Sequence, residues 1–151
     1  MKKLLFLLFL STAFAVSAQD TKTTYDEALA KKLGADEHGM KMYVLVILKT
    51  GDKEIADTKQ RGEIFAGHMK NIQKMADEGK LAVAGPFEKN GSNWRGLYIF
   101  NVSTIAEAKA LTETDPAISS GMMKAEFYEW YGTAAMMEVN RIHNTIAKKQ
   151  F

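Results

Sequence analysis

From Met42 to Leu48 the chain reads MYVLVIL, an apolar run rich in β-branched residues between Gly39 and Gly51. Such a run predicts a strand buried on both faces. The period then changes. Between Asp57 and Glu78, the residues Ile64, Phe65, His68, Met69, Ile72, Met75 and Ala76 recur at i, i+3, i+4 and i+7, and Gly79 follows. That spacing predicts an amphipathic helix with a glycine stop. Leu81 to Phe87 and Gly96 to Val102 predict two further strands, joined as an antiparallel hairpin through the turn Lys89-Asn90-Gly91-Ser92. Thr104 with Glu107 has the form of a capping box and opens a helix to about Glu113. Asp115-Pro116 starts a short turn through Gly121, and Lys124 to Tyr131 predicts a fourth strand. Thr133 to Lys149 closes the chain as an amphipathic helix, with Ala135, Met136, Val139, Ile142 and Ile146 on one stripe.

The predicted order is β-α-β-β-α-β plus a C-terminal helix, an α+β arrangement of the ferredoxin-like kind. Both helices then cover one face of an antiparallel sheet. The strands are apolar on both faces, and Phe87, Tyr98, Phe100, Phe127 and Trp130 are too many for two helices to hide. The expectation is a bare face carrying aromatics such as Tyr98, Phe100, Phe127 or Trp130, and a homodimer that buries it.

The ends of the chain read differently. Met1-Lys2-Lys3, the apolar run Leu4 to Val16 and the small residues of Val16-Ser17-Ala18 occur in the order of a secretory signal peptide. The run is shorter than the roughly 20 apolar residues of a membrane span. No cysteine follows it to carry a lipid. Residues 1–18 are therefore expected to be an export signal, with a periplasmic or extracellular mature protein and no stable membrane anchor. Residues 19–40 are a polar arm, in which Tyr25, Ala28, Leu29 and Leu33 are spaced for a short helix ended by Gly34. Residues 41–132 form the main domain and 133–151 the C-terminal helix.

Composition excludes several kinds of chemistry. The chain of 151 residues has room for one domain. Lys and Arg number 20 against 18 Asp and Glu, and Lys2 and Lys3 account for the whole excess. A neutral body argues against nucleic acid as a partner. The absence of cysteine excludes disulfides, thiolate catalysis and Cys-ligated metals. The histidines His38, His68 and His143 stand on the arm, the first long helix and the last helix, with no metal-ligand spacing between them, and no phosphate loop is present. No metal or nucleotide cofactor is expected.

What remains is a sparse set of polar candidates. His68 falls on the apolar stripe one turn from Ile64 and Ile72, so its imidazole points toward the sheet. It reads either as a core histidine bonded to a carbonyl or as a proton shuttle that titrates near neutrality. Asp115 is a favoured N-cap ahead of Pro116, and a carboxylate that caps a turn is also well placed to orient a histidine. Arg95, beside Trp94 at a strand edge, reads as an exposed arginine or as a contact for an anionic ligand. His143 reads as solvated or as an interface residue.

The stretch His68-Met69-Lys70-Asn71-Ile72, continuing through Ala76-Asp77-Glu78-Gly79-Lys80-Leu81 to Ala84-Gly85-Pro86, resembles the YCII-related family, and Asp115-Pro116 with Gly121 matches a later part of its pattern. The resemblance covers about Met42 to Tyr131. It implies a ferredoxin-like dimer whose sheets face each other as an α+β barrel, with a His–Asp pair, here His68 and Asp115, in a pocket near the interface. The chain departs from the family pattern at Phe65, where many members carry arginine, and at Ala117, where an aromatic is common. Two readings of function follow. One is an exported acid/base enzyme of the lyase or isomerase type, acting on a small organic molecule through His68 and Asp115 without metal or nucleotide. The other is a non-catalytic small-ligand-binding or structural homodimer.

Overall fold

A computed structural model describes residues 24–149. The expected export signal, residues 1–18, lies outside the described residues. Helix α1 (Glu27–Leu33) is followed by strand β1 (Met40–Thr50), helix α2 (Thr58–Asp77), strands β2 (Leu81–Pro86) and β3 (Trp94–Phe100), helix α3 (Ile105–Glu113), the single turn α4 (Pro116–Ser119) and strand β4 (Met123–Thr133). A 3-10 turn (Ala134–Glu138) then leads into helix α5 (Val139–Ile146). The four strands form one antiparallel sheet in the order β2-β3-β1-β4, and the protein is an α+β fold of the ferredoxin-like kind.

The local chemistry explains the element ends. The Asp57 carboxylate accepts from the amides of Lys59 and Gln60 and opens α2. The capping box of Thr104 and Glu107 opens α3. Gly34, at φ 71°, closes α1, where its amide donates to Ala30 and Lys31. The arm is docked rather than free. Lys32 pairs with Glu138 of the 3-10 turn at 3.0 Å, and Asp36 accepts from the hydroxyl of Tyr131.

Two apolar layers sandwich the sheet. On the helical side Val44, Val46 and Leu48 of β1, Tyr98 and Phe100 of β3, and Leu81 pack against Met75 of α2 and Ala108 of α3, with Phe127 of β4 beside them. On the other side Tyr43, Ala82 and Ile99 pack with Trp130, Met136 and Met137. This corrects one expectation. Tyr98, Phe100 and Phe127 face the helices, and of the four aromatics expected on the bare face only Trp130 lies there. Both parities of β3 are apolar (Leu97 and Ile99 against Tyr98 and Phe100), so alternation alone does not say which one the helices cover.

The C-terminal segment is also corrected. Thr133 ends β4, Met136 and Met137 of the 3-10 turn cover one end of the second face, and the α-helix spans only Val139–Ile146. Among the described residues no helix is long and apolar enough to cross a membrane.

Candidate active site

Three buried side chains from three elements meet on the helical face of the sheet. His68 on α2 is 6% exposed, Tyr98 on β3 is 2% exposed, and Asp115 is fully buried. The Nδ1 of His68 lies 2.8 Å from Oδ2 and 3.0 Å from Oδ1 of Asp115. The hydroxyl of Tyr98 donates to Oδ2 over 3.1 Å, and the amide of Ala117 donates to Oδ1 over 2.9 Å. Asp115 is thus both the cap of α4 and the partner of His68. The carboxylate accepts one bond on each oxygen, from Tyr98 and from the Ala117 amide, and His68 Nδ1 lies against both, so it is held in place.

Several sequence features bring these groups together. Helical period turns His68 inward with Asn71 and Met75, the other buried residues of α2. Gly67 stands next to His68, and a Cβ there would come 2.9 Å from Cγ of Pro116. The missing side chain lets α2 pack directly on α4, and that approach sets the short His68–Asp115 distance. Asn71 ties the same two segments, since its Oδ1 accepts from the Thr114 hydroxyl over 3.1 Å. Pro116 sits at the first helical position, where a missing N–H costs nothing.

The ring of His68 is bracketed by aromatics. Tyr98 stacks on one side with ring centroids 6.3 Å apart, and Phe65 lies 5.8 Å away at the surface. Burial, reinforced by the charge of Asp115 and the bond to it, holds the Tyr98 hydroxyl proton well above the ordinary tyrosine range. Tyr98 therefore stays a neutral donor at physiological pH. Nε2 of His68 has no protein partner among the described residues, yet it is not a buried orphan. It is the ring nitrogen that meets solvent.

That solvent is a cleft of about 860 Å³. His68, Met69 and Ile72 of α2 form one wall, β2 forms the floor, and Asn140, His143 and Asn144 of α5 form the other wall. The volume is within the range of small-molecule sites, and most of the lining is apolar. The amide of Asn140 donates to the Leu81 carbonyl over 2.7 Å and holds α5 against β2. His143 is exposed, as expected, and also borders the cleft, and Arg95 lines its end beside Pro86. His38 is remote from this site and exposed on the arm, 3.6 Å from Glu37. Among the described residues no three His, Asp or Glu side chains cluster as a metal site would require.

Sequence reading names His68 and Asp115 but misses Tyr98, Gly67 and the α5 wall. A glycine inside a helical pattern, directly beside an inward histidine, is the available sign of close packing at Gly67.

Residues 42–131 match the family model described as the YCII-related domain. No curated protein matches the chain. Among solved structures, one that matches is a 5-chloro-2-hydroxyhydroquinone dehydrochlorinase from Burkholderia phenoliruptrix AC1100, in complex with 2,5-dihydroxybenzoquinone. It is 17% identical, with a TM-score of 0.44, over 58% of this chain and 92% of that one.

Proposed function

The chain belongs to the YCII-related domain family, and from that premise we propose that the cleft is the active site of an enzyme that moves a proton on a small organic molecule, with His68 as general acid and base. The observation that carries this reading is the paired contact of His68 Nδ1 with both oxygens of Asp115, at 2.8 and 3.0 Å. A carboxylate on Nδ1 keeps that nitrogen protonated, which leaves the lone pair of Nε2 toward the cleft as a base. When Nε2 takes a proton, the adjacent negative charge stabilises the imidazolium, and the same proton is returned to another atom of the substrate. Tyr98 and the Ala117 amide hold the carboxylate still while this happens. Such chemistry suits elimination or isomerisation.

The test begins with a thermal-shift screen of small organic molecules on the purified protein. Each binder is then incubated in D2O, and exchange of its carbon-bound protons is followed by NMR. The wild type should catalyse exchange in at least one binder, and His68→Asn should slow it by about 100-fold or more. Equal exchange rates in the two proteins would contradict the role of His68.

We propose also that the protein works as a homodimer after export through residues 1–18. The open sheet face supports the dimer. There Leu45 and Leu97 are half-buried and Tyr128 is 51% exposed. This same face favours the second reading, a ligand-binding or structural dimer, if no binder shows exchange. Light scattering at micromolar concentration should give twice the monomer mass, and Tyr128→Glu should give a monomer.

A further inference from the structure

The charges around the cleft are unevenly spent. Asp77, the last residue of α2, stands near the Leu81 end of β2, and its carboxylate already accepts from Gln73 over 2.9 Å. Arg141 of α5 is paired with Glu138. Arg95 stands at the opposite end, next to the Pro86–Gly96 pair of the sheet, and has no carboxylate within 4.0 Å among the described residues. Of the cationic residues that line the cleft, it is the one whose charge is uncompensated. It lines the same cleft as His68. Arg95 and Tyr98 belong to the same strand, three residues apart, which puts their backbones roughly 10 Å from one another. Tyr98 stacks on His68. Between the two lies the apolar floor made by Leu48 and Ala84, which face the Tyr98 side of the sheet, with Phe65 exposed at the mouth.

We propose that Arg95 is the anion-recognition residue of the cleft and that the ligand is a small organic acid: an apolar or aromatic body that spans the floor, with its carboxylate on Arg95 and its reacting carbon near His68. A guanidinium offers two parallel N–H donors to a carboxylate, which orients the ligand as well as attracting it. The apolar body then lies on Leu48 and Ala84, against the ring of Phe65. This rests on the proposed function only for the reacting end; the anion contact stands on the geometry of Arg95 itself.

The experiment compares phenylacetate with phenylacetamide, which have the same shape and differ in charge, by NMR titration of the purified protein. The wild type should bind the anion at least about tenfold tighter than the amide. Arg95→Gln should bring the two to within about twofold, and Arg95→Lys should keep part of the preference, because it keeps the charge but loses the fork. His68→Asn should keep the full preference while losing the proton exchange described above. No preference in the wild type, an unchanged preference in Arg95→Gln, or loss of the preference in His68→Asn would each overturn the assignment. Exchange chemistry that fails while the Arg95→Gln effect holds refutes the role of His68 and leaves the anion site standing; the reverse result refutes the anion site alone.

Discussion

Helix α2 runs for 20 residues, is capped twice by Asp57, and buries His68, Asn71 and Met75. Helix α5, across the cleft, runs for eight residues, has no side-chain cap, and buries none of its residues. A hydrogen bond from Asn140 joins it to β2, and the pair of Arg141 with Glu138 joins it to the preceding turn. The first wall therefore moves only if the core moves with it, while the second is held by one part-buried hydrogen bond and an exposed ion pair. Proton transfer needs a base fixed to within a fraction of an ångström, whereas ligand entry needs a wall that gives way. The proposed chemistry sits on the wall that cannot shift, and the wall that can shift supplies amide and imidazole groups that adapt to what is bound.

The largest effects should come from breaking the fixed wall at its polar centre. Asp115→Asn should lower proton-exchange activity by about 100-fold or more, measured on any active binder, because Nδ1 loses its anionic partner. Asp115→Ala should in addition cost about 2–4 kcal/mol in chemical denaturation, since His68, Tyr98 and the Ala117 amide all lose a buried acceptor.

The helix contact is the next place to press. Gly67→Ala drives a methyl into the Pro116 ring and should destabilise the fold by about 1–3 kcal/mol, with reduced activity. Gly62 lies on the same helix, and a methyl group added there would meet nothing within 4 Å. Gly62→Ala should therefore stabilise by up to about 1 kcal/mol through helix propensity alone. Equal outcomes at the two glycines would remove the argument that close packing positions His68.

The soft wall should respond less. Asn140→Ala loses one hydrogen bond and should cost about 0.5–1.5 kcal/mol, and Ile146→Ser, 75% exposed, should stay within about 0.5 kcal/mol. A loss from Ile146→Ser as large as that from Gly67→Ala would show that α5 is part of the core and that the two walls do not differ.

Alkaline pH gives the finest comparison. The Tyr98 proton is held more tightly in the fold than in the unfolded chain, because of burial first and of Asp115 second. That stabilisation is complete below the unfolded value, near 10, and is lost as pH rises beyond it. The melting temperature should fall above about pH 10, and Tyr98→Phe should flatten the fall. Burial raises Tyr43 in the same direction, so part of the slope should remain.

Much of the fixed wall is legible in the sequence. The period of α2 turns His68 inward, and Asp115-Pro116 announces a capped turn. The soft wall and the face of β3 are not. A strand with Leu97 and Ile99 on one parity and Tyr98 and Phe100 on the other carries no internal sign of which side the helices take, and Tyr98 is expected on the open face for that reason. The stripe from Ala135 to Ile146 has one helical period, yet the chain leaves β4 through a 3-10 turn, and only tertiary contacts of Met136, Met137 and Asn140 decide where α5 lies. His143 and Arg95 come to line the same cleft through that placement of α5, which local pattern does not encode, and through the pairing of β2 with β3, which the Asn90-Gly91 turn does.

The central claim is that Asp115 fixes His68 with its proton on Nδ1 and its lone pair toward the cleft. Nitrogen-15 correlation NMR of the histidine rings reads this directly. In its neutral form His68 should be protonated on Nδ1 and bare on Nε2, and Asp115→Asn should abolish that preference. A neutral His68 with its proton on Nε2 in the wild type would contradict the account.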